Sequence, residues 1–246
     1  MKKITYLLSA LATALLVACG GGGGGGGGSS SAPAPTAAVT VPLLAAIQRS
    51  ANASQAYNFD VTGFWSTAGN NLTGSGSRTV SAGVSSVVSG TTYTKITGTT
   101  LGNATATNGT VLNLNSTGVE YLNPTTYATV IVDDGDAYAV YSAYTYPTTI
   151  TSGDTGQYAT AVIYSNSSKT TVIGTAKFTY VTSANTSDSL TVKQIVDVYN
   201  TGTQQTLQSI STSTISTAGV STLVSFEQYR YAASGSTPYY LKYSAR

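Results

Sequence analysis

The chain has 246 residues, with 11 basic and 9 acidic side chains and no histidine. Without histidine it lacks the commonest general base and the commonest transition-metal ligand, and without a run of basic residues it lacks the patch that nucleic-acid binding needs. Its 31 serines and 42 threonines make up close to a third of the residues, and such a composition favours pleated sheet over helix.

The first 18 residues have the pattern of a secretory signal peptide. Two lysines precede an apolar run over residues 4–16, which is shorter than the roughly 20 apolar residues of a membrane-spanning helix. The run leads into Leu16-Val17-Ala18-Cys19, and Cys19 is the only cysteine. This order resembles the signal peptide and lipobox of bacterial lipoproteins. The resemblance implies cleavage before Cys19 and the attachment of fatty acyl chains (palmitate) to its sulfur and new amino terminus.

Residues 19–40 have the composition of a flexible tether. Nine glycines follow Cys19 directly, and serines and two prolines come after them. Such a segment is a flexible coil, and some 20 residues have a root-mean-square span of roughly 25 Å. Polyglycine behind the lipid cysteine is similar to the leader of surface-exposed lipoproteins such as the transferrin-binding and factor-H-binding families, over the first 30 or so residues. Gly20 in place of aspartate resembles the outer-membrane sorting pattern of enteric bacteria. These resemblances imply an outer-membrane location and leave its periplasmic or outward face open.

Residues 41–246 predict a single antiparallel β domain with one short helix. Pro42 and the apolar residues at helical spacing behind it predict the helix over 42–53. After it, strands recur every 10–20 residues between turn signals, without helical stretches, which favours pairing by hairpins. We expect 10–12 strands in a meander that closes into a barrel or forms a two-sheet sandwich.

Three stretches carry more specific expectations. Residues 133–136 predict a tight Asp-Gly hairpin turn, followed by a strand from Ala137 to Tyr146. The alternation over 158–164 predicts that Tyr158, Val162 and Tyr164 share one face. Residues 80–115 are rich in Ser, Thr and Gly and weakly apolar, so edge strands and long loops are both consistent with them.

Two groups of side chains are candidate binding sites. The first is a calcium site at Asp133, Asp134 and Asp136, because carboxylate oxygens are calcium ligands, although a solvated hairpin turn explains the same residues. The second is an aromatic ligand surface, although cross-strand aromatic packing would also explain the tyrosines. The candidate surface consists of Tyr138, Tyr144, Tyr146, Tyr239, Tyr240 and Tyr243.

The sequence therefore predicts a lipid-anchored protein of the cell envelope, without catalytic role or cofactor. It would bind a protein or glycan partner or contribute to envelope structure, and it would not bind nucleic acid. Two alternatives stay open. Glu120 and Glu227, the only two glutamates, could be the carboxylate pair of a glycan hydrolase. A barrel with an apolar cavity could carry a lipid or small hydrophobic ligand.

Overall fold

A computed structural model describes residues 38–65, 70–232 and 238–246. The lipobox, Cys19 and most of the expected tether lie outside these residues. Strands hold 66% of the described residues and helix holds 4%. The prediction of an all-β domain with a single short helix is therefore confirmed for this part of the chain.

Sixteen strands and one helix follow one another in the described part of the chain. In chain order they are β1 (Thr40–Val41), α1 (Leu43–Ala51), β2 (Gln55–Trp65), β3 (Asn71–Val80), β4 (Val84–Val88), β5 (Thr91–Ala106), β6 (Val111–Asn113), β7 (Ser116–Leu122), β8 (Thr129–Asp133), β9 (Tyr138–Tyr141), β10 (Ile150–Thr151), β11 (Thr155–Tyr164), β12 (Val172–Thr186), β13 (Ser189–Asn200), β14 (Gln205–Ser216), β15 (Ser221–Arg230) and β16 (Tyr239–Ala245).

Twelve of these strands form one closed antiparallel barrel, in the order β3-β2-β16-β15-β14-β13-β12-β11-β9-β8-β7-β5. Pairing between β5 and β3 closes the ring. Two short strands also pair with β5: β4 lies beyond β3 on one edge of β5, and β6 lies beyond β7 on the other edge. β1 pairs with β10 in a separate two-stranded sheet. Of the two architectures expected from the sequence, the barrel is confirmed.

The helix α1 lies across one mouth of the barrel, which we call the helix end. A Cβ added at Gly219, in the turn between β14 and β15, would lie 3.3 Å from the ring of Pro42. At the other end of α1, the carbonyl of Ala51 accepts a hydrogen bond from the N–H of Gly83, which lies in the connection between β3 and β4. The helix thus bridges two sides of the ring. We call the opposite mouth, where the turns at 107–110, 134–137, 165–171 and 201–204 lie, the distal end.

Packing, more than local sequence, accounts for α1. Leu43, Ala46, Ile47 and Ala51 are buried at helical spacing, and no side chain caps the first turn. Nine residues are too few for a stable isolated helix in water, so its apolar face must be held by the barrel. The helix predicted over 42–53 is confirmed; it begins one residue later, at Leu43, and ends two residues earlier, at Ala51. A search of the described ranges found no helix long and apolar enough to cross a membrane.

The chain leaves the barrel wall between β9 and β10, which the sequence did not predict. The strand expected to run from Ala137 to Tyr146 ends at Tyr141. Ser142 still donates its N–H to Thr160 of β11, but Tyr146 then packs in the core against the helix. A ring of twelve strands is wider than the eight-stranded barrels that side chains alone can fill. The segment 142–149 and α1 supply the additional volume.

Residues 80–115 form strands, including β5, the longest strand among the described residues. Glycines in β5 and in its neighbour β3 occupy wall positions where the two strands approach closely. A Cβ at Gly102 of β5 would lie 2.6 Å from the carbonyl oxygen of Ser75 in β3. At Gly76 the space that a side chain would need holds the ring of Phe59, 2.5 Å from the same ideal position. The aromatic ring supplies the apolar surface that the glycine lacks.

A β-bulge overturns the expected facing of Tyr158. The register between β11 and β12 shifts between Gln157 and Ala159. Tyr158 therefore packs in the interior, against the cluster that contains Phe178, whereas Val162 is exposed on the outer wall. A bulge adds one residue to one strand and so reverses the alternation on one side of it.

Candidate functional site

The six tyrosines of the expected ligand surface do not form one surface. Tyr239 and Tyr240 are adjacent in β16 and face opposite sides of the wall, as successive strand residues must. Tyr239 is 3% exposed and packs in the interior, and Tyr243 packs edge-on against Phe59 inside the barrel, with ring centroids 5.3 Å apart. Tyr240 packs with exposed Phe64 on the outer wall. The prediction of a common surface is therefore wrong.

The remaining three tyrosines of that set are divided in the same way. Tyr138 pairs with Asp133 and Tyr164 on a different sector of the outer wall. Tyr144 and Tyr146 enter the interior, where their hydroxyls share a 3.0 Å hydrogen bond and the Tyr144 oxygen accepts the N–H of Thr129 at 2.8 Å. These hydroxyls satisfy polar groups in the core, which favours a packing role over ligand binding.

The interior tyrosines stay neutral at physiological pH. Burial raises the pKa of Tyr146 and Tyr158 well above the usual range, and the neighbouring Tyr144 adds to both shifts. Gln194 donates a hydrogen bond to the Tyr158 hydroxyl at 3.0 Å. This part of the core is thus a set of aromatic rings joined by neutral hydrogen bonds.

The two glutamates lie on opposite sides of the barrel wall. Glu120 in β7 is 2% exposed and accepts a hydrogen bond from the Thr129 hydroxyl inside the barrel. Glu227 in β15 faces outward, where it binds Tyr229 and Tyr240. The carboxyl groups of a glycosidase must flank one glycosidic bond, at separations of roughly 5–9.5 Å. The fold does not bring these two together in that way.

The interior near α1 contains a small cavity between the helix and the wall. Its volume is about 10 Å³, and Leu43, Tyr146, Ile150, Tyr158 and Gln194 are among the residues that line it. This is room for about one water molecule. A lipid tail or a comparable hydrophobic ligand does not fit in it.

The three aspartates of the expected calcium site form the turn between β8 and β9. Asp133 accepts the N–H of Gly135, and Asp134 accepts those of Asp136 and Ala137. Burial raises the pKa of Asp134 to about 6. Across the described ranges, no group of three or more acidic or cysteine side chains is placed to share a metal ion. The arrangement supports a hairpin turn and gives the calcium hypothesis no support.

A row of three aromatic side chains crosses the outer wall at the distal end. Phe64 of β2 pairs with Tyr240 of β16, and Tyr240 pairs with Tyr229 of β15. The ring centroids are 5.8 Å and 4.5 Å apart. Phe64 is 51% exposed, and both tyrosines are half-buried. We call these three residues the aromatic row.

A carboxylate holds the two tyrosines of the aromatic row. Glu227 accepts hydrogen bonds from the hydroxyls of Tyr229 and Tyr240 at 2.9 Å and 3.0 Å, and Lys242 Nζ lies 4.0 Å from its other oxygen. Burial and the hydrogen bond to Glu227 raise the pKa of Tyr240, so its hydroxyl remains a donor. The two rings are therefore fixed in orientation before any ligand arrives.

Polar side chains continue the aromatic row across the next strands. Gln208 of β14 lies opposite Tyr229, and Asp197 of β13 lies opposite Gln208. Asp197 accepts hydrogen bonds from Gln205 and Gln208 at 2.7 Å and 2.8 Å. Sequence reasoning found one member of the row, Tyr240. The signal that would have found Phe64 is its position between the inward-facing residues of β2, where alternation places it outside.

No protein-family model, curated protein or solved structure matches this chain. The candidate site is therefore argued from its own geometry.

Proposed function

We propose that the protein is a lipid-anchored module of the bacterial outer membrane that binds a partner through the outer wall of its barrel and has no catalytic role. The anchor is supported by the resemblance of Leu16-Val17-Ala18-Cys19 to a lipobox and by the glycine-rich stretch behind it. Two or more acyl chains hold a protein durably at a bilayer, whereas one gives marginal binding.

The observation that carries the binding role is the separation of the tether from the aromatic row. The described chain begins at the helix end, where β1 pairs with β10 beside α1. Phe64, Tyr229 and Tyr240 each lie one residue from the distal end of their strands. Gln55 and Phe64 are nine residues apart in β2, which corresponds to about 30 Å of strand. A tether at the helix end therefore leaves the row on the side away from the acyl chains.

The two alternative functions have less support. A hydrolase would need Glu120 and Glu227 on one side of the wall, and they lie on opposite sides. A carrier of lipids would need a large apolar cavity, and the cavity beside α1, with about 10 Å³, does not hold a lipid tail. A binding module needs only a rigid wall with ordered side chains, which the barrel offers.

Anchoring is tested with Cys19→Ser in the intact chain, and Ser29→Ala in the tether is the matched control. We expect the wild type and the control to incorporate labelled palmitate and to fractionate with outer membranes. The serine variant should do neither, because its oxygen does not accept the lipid. A serine variant that stays in the membrane with its leader uncleaved would overturn the anchor.

Proteolysis of intact cells then distinguishes the two faces of the membrane. Digestion of the barrel without lysis means display on the outside, and protection means a periplasmic site; each result fixes which partners the module can reach. Catalysis is tested separately, by incubating the purified protein with cell-wall and plant glycans. We expect no release of reducing ends. Release that Glu227→Gln or Glu120→Gln abolishes would contradict the proposal.

A further inference from the structure

The aromatic row lies on the outer wall, where Phe64 is 51% exposed and the two tyrosines are half-buried. Interior tyrosines and phenylalanines already pack with one another in the described core. Phe64 could be any polar residue without loss to that core, because its side chain lies on the outer wall and is half exposed. Phe64, with the two half-buried tyrosines packed beside it, is an aromatic group held at the outer surface, where it can contact a partner.

The groups beside the rings are polar and are held in place. Glu227 is fixed by two phenol hydroxyls, and Asp197 by two glutamine amides. Lys242 lies beside Glu227, and Lys177 of β12 lies opposite Asp197. The surface thus offers donors and acceptors next to aromatic area, with two carboxylates and two ammonium groups in balance.

We infer that this face binds a neutral glycan chain, along the line of side chains from Phe64 to Asp197. A sugar ring has an apolar face of C–H groups, which packs on an aromatic ring, and a rim of hydroxyls, which bind amides and carboxylates. The aromatic row and the polar groups that follow it offer both kinds of contact in that order.

The geometry also says which contact each ring makes. Tyr229 and Tyr240 pack against each other, with ring centroids 4.5 Å and planes 36° apart, so each covers part of the other. Phe64 is the most exposed ring of the row and offers its face to a sugar. The tyrosines are held by Glu227, so binding would order few side chains, which limits its entropic cost.

Charge and shape distinguish a glycan from other partners. Nucleic acid and anionic lipid need an excess of positive charge, and here the charges balance. A protein interface has a contiguous apolar core, whereas the row passes directly from Tyr229 to Gln208 and Asp197. A neutral polysaccharide is the partner whose apolar ring faces and hydroxyl groups match aromatic rings followed by polar side chains.

This inference rests on the proposed binding role and is tested apart from the anchor. Full-length protein, extracted and purified in detergent, is incubated with insoluble cellulose and chitin, which are neutral glycans, and the retained fraction is measured. We expect at least one of these glycans to retain the wild type. Phe64→Ala and Tyr240→Ala should weaken retention by about tenfold, as the loss of a central aromatic contact does.

Tyr164→Ala is the matched control, because Tyr164 is also a half-buried tyrosine at the distal end of an outer wall, on β11. It should bind as the wild type does, and Phe64→Tyr should retain most of the binding. Thermal unfolding of each variant checks that the barrel is intact. Retention of no glycan, or equal retention of all variants, would overturn the inference while leaving the anchor intact. The glycan-binding result does not depend on the lipid anchor, so failure of the anchoring proposal would leave the retention of each variant unchanged.

Discussion

Truncation of Ile47 in α1 tests whether the helix belongs to the cooperative core of the barrel. Ile47 is 0% exposed and packs with Leu190, Val192 and Ile215 of the wall. Ile47→Ala removes three carbons, which at about 0.8 kcal/mol each is about 2.4 kcal/mol of transfer free energy. The cavity that remains brings the expected loss to about 3–4 kcal/mol, within the range for buried Ile→Ala changes.

The assay is thermal and denaturant unfolding of the purified protein, followed by fluorescence of Trp65, the only tryptophan. For a domain of this size, a loss of about 3 kcal/mol lowers Tm by roughly 7 °C. Arg49→Ala, on the exposed face of the same helix, is the control and should change stability by less than about 0.5 kcal/mol. Because Trp65 lies at the distal end, its signal reports the barrel and not the helix alone. A loss below about 1 kcal/mol for Ile47→Ala would refute the view that α1 is part of the core.

Four further predictions follow from the geometry of the wall and the turns. Gly74→Ala should destabilise the barrel by about 1–3 kcal/mol, because the added Cβ would lie 2.0 Å from the carbonyl oxygen of Asn103. The control is Gly90→Ala, where nothing lies within 4 Å of the added carbon, and it should show only the smaller strain of its positive φ. Equal losses would contradict the close approach of β3 and β5. Burial raises the pKa of Asp134 to about 6, so the folded protein holds this proton more tightly than the unfolded chain. The associated stability is present below pH 4 and is lost as the pH rises through 6. Asp134→Asn should therefore raise the free energy of unfolding at pH 7, by on the order of 2 kcal/mol, and leave it unchanged at pH 3.5. Tyr146→Phe should lose about 1 kcal/mol with the hydroxyl that bonds Tyr144, and a melting temperature equal to that of the wild type would refute the structural role of this bond. Calcium at millimolar concentration should leave the melting temperature unchanged, because Oδ1 of Asp133 and Oδ1 of Asp134 accept backbone N–H groups and the three aspartates are not placed to share a metal ion. A calcium-dependent rise would restore the calcium site.

The features that the sequence predicted correctly are those that depend on local periodicity. Alternation in β2 and β13 places Phe59, Val61, Leu190 and Val192 in the core, and the helical spacing behind Pro42 gives α1. The Asp-Gly turn joins β8 and β9 as expected, with Gly135 at a positive φ of 81°. Each of these signals is contained in about ten consecutive residues.

The features that the sequence did not predict depend on distant strands. The bulge at Tyr158 is visible only in the register with β12. The departure of Tyr144 and Tyr146 from the wall follows from the width of a twelve-stranded ring, which is set by all its members. The sequence predicted only one member of the aromatic row for the same reason: Phe64 is far from Tyr229 and Tyr240 in the chain and meets them only because β2 pairs with β16.

That pairing between β2 and β16 also governs how the domain reaches its native state. The first and last strands of the wall are neighbours, and seven residue pairs from Tyr239 with Trp65 to Ala245 with Phe59 join them. While the chain folds, the growing sheet must keep one edge unpaired until its final strand arrives. Contacts of such long sequence separation form slowly, and open strand edges recruit other chains. We therefore expect folding to depend on holdase chaperones, with aggregation as the outcome when they are depleted.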